Sequence, residues 1–196
     1  MSEQHWVAVK RILRHLNGTL HFGLELEPIF STKHYSVHAF CDADWASDPD
    51  DRRSTSGAAA FLGPNLVSWW SKNQSIVARS STEAEYRSLA LATAEVTWIQ
   101  SLLTELKVPH APPVIFCDNM STVSLVHNPV LHSCTKHIEL DLFFVREKVL
   151  GKQLQVVHVP AADQRADILT RAVSPSNFLI NRSKLRVVEK HSANHC

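Results

Sequence analysis

The sequence predicts an α/β domain in which helices cover a mixed five-stranded sheet. The first observation is a set of three strand patterns between residues 37 and 71, joined by short polar turns. The second is a pair of later strand patterns that are separated from one another by helical patterns. Short turns favour antiparallel pairing, whereas helical connections favour parallel pairing, so the two groups together indicate a mixed sheet.

Apolar runs that are bounded by turn residues define the strands. A polar turn at Asp48-Pro49 and a tight turn at Gly63-Pro64-Asn65 separate the first three strands. The predicted strands cover residues 37–42, 56–62, 66–71, 114–117 and 154–159.

Apolar residues at three- and four-residue steps define the helices. The longest helix begins at Ser80-Ser81-Thr82 and continues to about Leu106, before a group of prolines that ends it. Three further helices are predicted over residues 121–127, 135–150 and 163–172. Asp163 is the expected N-cap of the last one.

Both ends of the chain are predicted to lie outside this domain, which covers residues 36–172. Residues 1–30 contain an amphipathic helix and a short strand pattern, and the apolar stripe of the helix needs a surface to cover it. Residues 173–196 form a mostly polar tail that we expect to be loosely held.

Composition is ordinary for a globular protein: of 196 residues, 44% are hydrophobic and 20% are charged, and the net charge is +1. Such a charge does not by itself indicate a nucleic-acid-binding protein. None of the four cysteines forms a CxxC pair, and Cys41 and Cys117 lie in apolar strands, which is typical of buried free thiols. This cysteine pattern favours a reducing compartment. No apolar run is long enough to span a membrane, so we expect no membrane association and a cytoplasmic location.

Four acidic residues stand on successive elements in an order that favours a single site. Asp42 and Asp118 end strands, Glu85 lies in the first turns of the long helix, and Asp167 lies in the last predicted helix. One acidic residue is usually just solvated, so the prediction depends on the order of all four. Carboxylates gathered in one place repel each other, and such a site requires cations.

Glu83 and Glu85 both lie near the start of the long helix, and periodicity favours Glu85. Extending the apolar stripe backward from Leu89 places residue 85 on the side that faces the sheet, whereas residue 83 lies about 200° away. Ser80 and Glu83 also fit a Ser-x-x-Glu capping box, although Glu85 could play the same part after Thr82.

Other positions have two open interpretations. Trp69 and Trp70 could stack on nucleic acid, and because adjacent strand residues face opposite ways, one is expected in the core and the other at the surface. Asp44 is either an outer acid of the site or a residue of the turn. His137 either caps and packs a helix or contacts substrate.

Several distinct motifs follow one another along the chain: Phe40–Ala46, Arg53–Gly57, Trp69–Gln74, Ser80–Tyr86, Asp118-Asn119, Thr135–Ile138 and Ala166–Thr170. Over residues 36–172 they resemble the ribonuclease H domain of copia-type LTR retrotransposon Pol polyproteins. Residues 5–19 resemble the C-terminal end of the reverse transcriptase that precedes this domain, so residues 1–30 would be a remnant of it.

The resemblance implies a ribonuclease H-like fold and cleavage of the RNA strand of RNA–DNA hybrids. It implies that Asp42, Glu85, Asp118 and Asp167 are the catalytic residues and ligands of two Mg²⁺ ions, for which Mn²⁺ can substitute. The implied partners are the hybrid and the reverse transcriptase portion of the same polyprotein. A virus-like particle and the nucleus are alternatives to a free cytoplasmic location.

The alternative function is an inactive retroelement relic that binds nucleic acid or a polymerase partner. Retention of all four acids argues against it.

One departure from the family concerns a histidine that many ribonucleases H carry in a flexible loop before the last aspartate. Here residues 159–163 lead directly into the predicted helix and His158 belongs to the preceding strand, which puts proton shuttling or product release in doubt.

Overall fold

The computed structural model describes residues 3–29, 35–128 and 138–189. Its strands are β1 (Phe22–Leu24), β2 (Val37–Asp44), β3 (Thr55–Leu62), β4 (Asn65–Asn73), β5 (Val114–Cys117), β6 (Gln155–His158) and β7 (Val187–Glu189). Its helices are α1 (Glu3–Gly18), α2 (Ser81–Glu105), α3 (Met120–His127), α4 (Glu139–Leu150), α5 (Asp167–Thr170) and α6 (Pro175–Lys184). Within these ranges no helix is both long and apolar enough to cross a membrane.

The predicted mixed five-stranded sheet is confirmed, with the strand order β4-β3-β2-β5-β6. β2, β3 and β4 pair antiparallel, and β5 and β6 join the other edge of β2 in parallel. In this register Asp42 stands opposite Gly57, and Cys41 stands opposite Cys117. The carboxyl ends of β2 and β5 therefore meet at one edge of the sheet.

Each face of the sheet carries its own hydrophobic cluster. The larger cluster packs α2, α3 and α4 against the sheet through buried side chains such as Leu89, Ile115 and Leu142. The smaller one, on the other face, joins Phe40 and Phe61 to residues of α5 and the C-terminal segment, including Leu185. The C-terminal segment thus supplies part of the second layer.

The long helix begins as the sequence predicts. Ser80 is its N-cap, and the Ser80 hydroxyl oxygen accepts a hydrogen bond from the backbone N–H of Glu83 at 3.1 Å. Leu89, Val96 and Leu103, seven residues apart, are all buried against the sheet. The predicted start of α4 at residues 135–137 lies outside the described residues, and the helix is seen from Glu139 onward.

The prediction of one helix over residues 163–172, capped by Asp163, is wrong. Residues Ala161–Asp163 form a 3₁₀ turn, and α5 covers only Asp167–Thr170. The buried side chain of Gln164 interrupts the helix, because its Oε1 accepts the backbone N–H of Ala166 at 3.1 Å. A side chain that bonds its own neighbouring backbone competes with helical hydrogen bonding.

The expectation of a loosely held tail is also wrong for the part that the structure describes. α6 covers Pro175–Lys184, and β7 pairs antiparallel with β1, so Phe22 stands opposite Glu189. Arg186 forms ion pairs with Glu25 and Glu27. The short strand predicted over residues 19–26 is therefore held by the C-terminal segment, and local sequence patterns cannot predict that partner.

Residues 22–29 also contact the main sheet. The side chain of Asn65 bonds the backbone of Glu27 in both directions, at 2.7 and 2.9 Å. A Cβ added to Gly63, which has a positive φ of 56°, would lie 3.2 Å from Ile29. By contrast, α1 leaves large apolar side chains exposed: Trp6, Val7, Ile12, Leu13 and Leu16.

Candidate active site

Asp42 and Asp118 lie side by side because they follow paired residues of two parallel strands. Cys41 and Cys117 are register partners, and each aspartate comes directly after one of them. Asp42 is 7% exposed and Asp118 is half-buried. Asn119 then caps α3, since its Oδ1 accepts the backbone N–H of Thr122 at 2.9 Å. The chain therefore leaves β5 in a fixed direction immediately after Asp118.

Helix α2 brings Glu85 to the same edge of the sheet. One ligand atom each of Glu85, Cys117 and Asp118 lie within 4.8 Å of one another. Glu85 is only 7% exposed, and its carboxylate accepts a hydrogen bond from the backbone N–H of Ala43. Its other oxygen, Oε2, is buried and has no hydrogen-bond partner among the described residues.

Glu83 occupies a different environment, although it is only two residues away. Its carboxylate accepts hydrogen bonds from Arg87 Nη2 and from the backbone N–H of Arg79, both at 2.9 Å. The Arg87 contact is a half-buried ion pair within one helical turn. The structure thus gives Glu83 partners of its own and places Glu85 with the aspartates, as the periodicity predicts.

Helix α5 connects Asp167 with Asp42. The hydroxyl of Thr170 donates to Oδ2 of Asp42 and also lies 3.1 Å from the backbone carbonyl oxygen of Asp167. Asp167 itself pairs with Arg171. It lies near enough to Asp42 for its negative charge to affect the pKa of that carboxyl group.

The surroundings of Asp42 and Glu85 disfavour the charged forms of their carboxyl groups. Burial, followed by the charges of Asp118 and Asp167, raises the pKa of Asp42 to about 6, although the hydrogen bond from Thr170 opposes this rise. Burial raises the pKa of Glu85 to about 10, with further contributions from Cys117, Asp42 and Asp118. A bound cation would reverse these effects, since it favours the ionised carboxylates.

Gln164, which no sequence pattern indicates, connects three parts of the site. This side chain is 1% exposed. Its Nε2 donates to the carbonyl oxygen of Cys41 at 2.9 Å and lies 3.5 Å from Oδ1 of Asp118. Its Oε1 accepts the N–H of Ala166, next to Asp167. Inside a supposed helix Gln164 carries no signal, so the sequence pattern could not have found it.

Two small residues that the sequence analysis also missed allow close packing around Asp42. The buried hydroxyl of Ser88 donates to the Asp42 carbonyl oxygen at 2.8 Å and fixes α2 on β2. A Cβ on Gly57 would lie 2.8 Å from Leu169 Cβ and 2.9 Å from Thr170 Cγ2. Because Gly57 stands opposite Asp42, its missing side chain leaves room for α5 over the aspartate.

The structure describes all but one of the other positions that the sequence singled out. Trp69 is 52% exposed, whereas Trp70 packs against the larger cluster, so the two tryptophans do face opposite ways. Asp44 is the last residue of β2. His158 ends β6, and its Nε2 lies 3.1 Å from the backbone carbonyl oxygen of Asp118. His137 lies outside the described residues.

The sequence has long matches among known proteins. The chain is 48% identical over 189 residues to the retrovirus-related Pol polyprotein from transposon RE2 of Arabidopsis thaliana, covering 96% of this chain and 13% of that protein. It is 49% identical over 187 residues to the corresponding polyprotein from transposon RE1 of the same plant, covering 95% and 13%. It is 36% identical over 181 residues to that from transposon TNT 1-94 of Nicotiana tabacum, covering 90% and 13%.

The chain is homologous to one segment of the retrovirus-related Pol polyproteins of transposons. It spans 13% of the length of these curated relatives. No family model matches the sequence. The assignment to the copia-type branch of this family stays a prediction.

Comparison with solved structures supports the predicted fold of this Pol segment. The structure of LC11-RNase H1, isolated from compost by a metagenomic approach, superposes with a TM-score of 0.52 at 17% sequence identity. The match covers 71% of this chain and 94% of that structure. At this identity the likeness shows the fold, which is ribonuclease H-like.

Proposed function

We propose that this Pol segment is a metal-dependent endonuclease that cleaves the RNA strand of RNA–DNA hybrids, working with the reverse transcriptase portion of its polyprotein. The observation that carries the proposal is the convergence of Asp42, Glu85 and Asp118 where two adjacent parallel strands end, with Asp167 held alongside. The ribonuclease H-like fold and the Pol family support the same activity.

The residues present fit a site for hard divalent cations. Carboxylate oxygens are the ligands that Mg²⁺ and Mn²⁺ prefer. Oε2 of Glu85 is buried and has no hydrogen-bond partner within the described ranges, and a cation would supply one. Asp42, Glu85, Asp118 and Asp167 would hold two such ions. When bound, such ions can supply an activated water and stabilise the leaving oxygen of a phosphodiester.

The surrounding side chains hold the carboxylates in place before any ion binds. Thr170 fixes one oxygen of Asp42, and Gln164 lies against Asp118 while its other end holds the backbone next to Asp167. These contacts join β2, β5 and α5 at one point. Such preorganisation lowers the cost of bringing like charges together when the ions and the hybrid arrive.

Trp69 lies on the face of the sheet that a hybrid could contact. It stands opposite Ala59, which in turn stands opposite Phe40, two residues before Asp42. Because side chains alternate along strands, Trp69 projects to the same face as Asp42. Half of its surface is exposed, so we propose that Trp69 contacts the nucleic acid near the carboxylates.

The test is cleavage of a labelled RNA–DNA hybrid, with duplex RNA and duplex DNA of the same sequence as substrate controls. Low salt and high enzyme concentration are appropriate, because a net charge of +1 gives little attraction to phosphate. We expect cutting of the RNA strand of the hybrid that requires Mg²⁺ or Mn²⁺, and its loss in Asp118→Asn.

A matched control is Asp51→Asn, which removes an exposed aspartate that pairs with Arg53 in the turn between β2 and β3. We expect this variant to cut as well as the natural sequence does. If the natural sequence cuts the hybrid no more than an inactive Asp118→Asn variant does, the proposal fails and the relic that only binds is favoured.

A further inference from the structure

A buried thiol lies among the candidate magnesium ligands. Cys117 is completely buried at the end of β5, and its Sγ lies within 4.8 Å of ligand atoms of both Glu85 and Asp118. Its Sγ makes a weak 3.9 Å contact with the carbonyl oxygen of Asn119, while the Cys41 thiol beside it is directed to the carbonyl oxygen of Phe116 at 3.7 Å. Sulfur is a poor ligand for Mg²⁺ but a good one for softer ions.

The unpartnered oxygen of Glu85 indicates that this cluster can take a ligand. Glu85 is more than nine-tenths buried, yet its Oε2 has no hydrogen-bond partner among the described residues. Leaving a buried polar atom unsatisfied is costly, and a cation placed between the carboxylates and the thiol would remove that cost. This observation is independent of the spacing of the three side chains.

The spacing also suits one small, thiophilic ion. Zinc bonds sulfur at about 2.3 Å and carboxylate oxygen at about 2.0–2.2 Å, so tetrahedral ligand atoms lie about 3.5 Å apart. The three ligand atoms, already within 4.8 Å of one another, need only small side-chain adjustments to reach that spacing. Half-buried Asp118 leaves the fourth position open to water.

We propose that Glu85, Cys117 and Asp118 form a binding site for a single thiophilic divalent cation, Zn²⁺ or Cd²⁺, that excludes Mg²⁺ from the same carboxylates. Binding forms a metal–sulfur bond, and the thiol proton passes to solvent. The exclusion of Mg²⁺ rests on the proposed function, whereas the metal–sulfur bond does not. Free Zn²⁺ in a cell or a buffer would therefore inhibit hybrid cleavage.

The probe is Cd²⁺, whose bond to a thiolate gives an ultraviolet charge-transfer absorption. Cys134 and Cys196 lie outside the described residues, so both are replaced by serine in every protein of the test. In this background we expect one equivalent of Cd²⁺ to produce the absorption, and Cys117→Ser to abolish it. Cys117→Ala serves as a second variant, and the far-ultraviolet circular dichroism spectrum verifies that each variant is folded.

Cys41→Ser is the matched control, because Cys41 is equally buried and stands opposite Cys117 in the register. We expect it to keep the absorption, whereas Glu85→Gln should weaken the binding of Cd²⁺ at least about tenfold. Added Mg²⁺ should weaken it as well, because the two ions share Glu85 and Asp118.

The absorption does not depend on catalysis, so the two proposals fail separately. Loss of the hybrid-cutting activity with the Cys117-dependent absorption intact would refute the proposed function alone. An absorption that is absent, or that survives in both Cys117 variants, would refute the thiophilic site even if the chain cuts hybrids. Binding of Cd²⁺ through Cys117 that Mg²⁺ does not weaken would refute the exclusion.

Discussion

Nε2 of Gln164 donates to the backbone carbonyl oxygen of Cys41 at 2.9 Å, although the two residues are 123 positions apart in the chain. This bond fixes the segment before α5 on the strand that ends in Asp42. The same nitrogen lies 3.5 Å from Oδ1 of Asp118, so one amide group lies against both β2 and the residue that follows β5.

Replacing Gln164 should therefore affect stability and metal binding together. Gln164→Leu removes the hydrogen bonds to the Cys41 carbonyl oxygen and from the Ala166 N–H, which should cost about 2–3 kcal/mol of unfolding free energy. It should also raise the Mg²⁺ concentration that half-maximal cleavage requires. Urea denaturation and a magnesium titration of activity measure the two effects. Gln155→Leu, at an exposed position of β6, is the control and should change neither.

The choice between Glu85 and Glu83 can be tested by paired substitutions. Glu85→Gln should abolish cleavage, because it removes a charge that the ions require. Glu83→Gln weakens the ion pair with Arg87 and should cost about 1 kcal/mol of stability while cleavage persists. Hybrid cleavage and urea denaturation of both variants make the comparison. Loss of activity in Glu83→Gln alone would reverse the assignment.

The contributions of Asp42 and Glu85 to the stability of the metal-free chain should fall as pH rises. The folded pKa of Asp42, about 6, and that of Glu85, about 10, lie above their unfolded values, so folding favours the protonated forms. The stabilising effect is complete below the unfolded pKa values, and it is lost for Asp42 by about pH 6 and for Glu85 progressively towards pH 10. The loss is at most about 1.4 kcal/mol per group per pH unit.

Thermal unfolding in a chelator at several pH values between 5 and 8 tests this dependence. Added Mg²⁺ should reduce the slope, because the ions stabilise the ionised carboxylates. Glu85→Gln should also reduce it and should raise the metal-free melting temperature at pH 8. A metal-free stability that increases from pH 5 to pH 8 would contradict the prediction.

Gly57 should tolerate no side chain. The Cβ of Gly57→Ala would lie 2.8 Å from Leu169 Cβ and would push α5 away from Asp42. We expect a loss of about 1–3 kcal/mol in stability and at least about a tenfold loss of hybrid cleavage, since Thr170 would no longer reach Asp42. Gly18→Ala, where a Cβ would meet nothing within 4 Å, is the control and should retain full activity.

Two N-terminal deletions should behave differently. Removing residues 1–18 takes away α1, whose large apolar side chains are exposed, and should change the melting temperature little. Removing residues 1–30 also takes away β1 and the Glu27 contacts with Asn65 and Arg186, and should lower the melting temperature by several degrees. Differential scanning calorimetry measures both. Equal melting temperatures for the two deletions would show that residues 22–29 contribute no stability.

The sequence by itself determined the sheet, the long helix and the acids at its edge. These features depend on local physics: strand patterns with short turns, an apolar stripe on α2, and a Ser80 cap next to the first acids. Periodicity was enough to place Glu85 towards the sheet and Glu83 away from it, because a helix fixes the direction of every side chain. Alternation alone does not decide which of the adjacent Trp69 and Trp70 faces the core.

Only the tertiary structure decided what depends on partners distant in the chain. Gln164 breaks the expected helix because its side chain bonds Cys41 and Ala166, and no local pattern records those bonds. The polar segment after residue 174 folds because β1 pairs with β7 and because Leu185 packs on the sheet. In the sequence, Cys117 is simply a cysteine within an apolar run. It becomes a candidate ligand only because α2 brings Glu85 beside it. Long-range packing overrides weak local preference wherever the local sequence is polar or short.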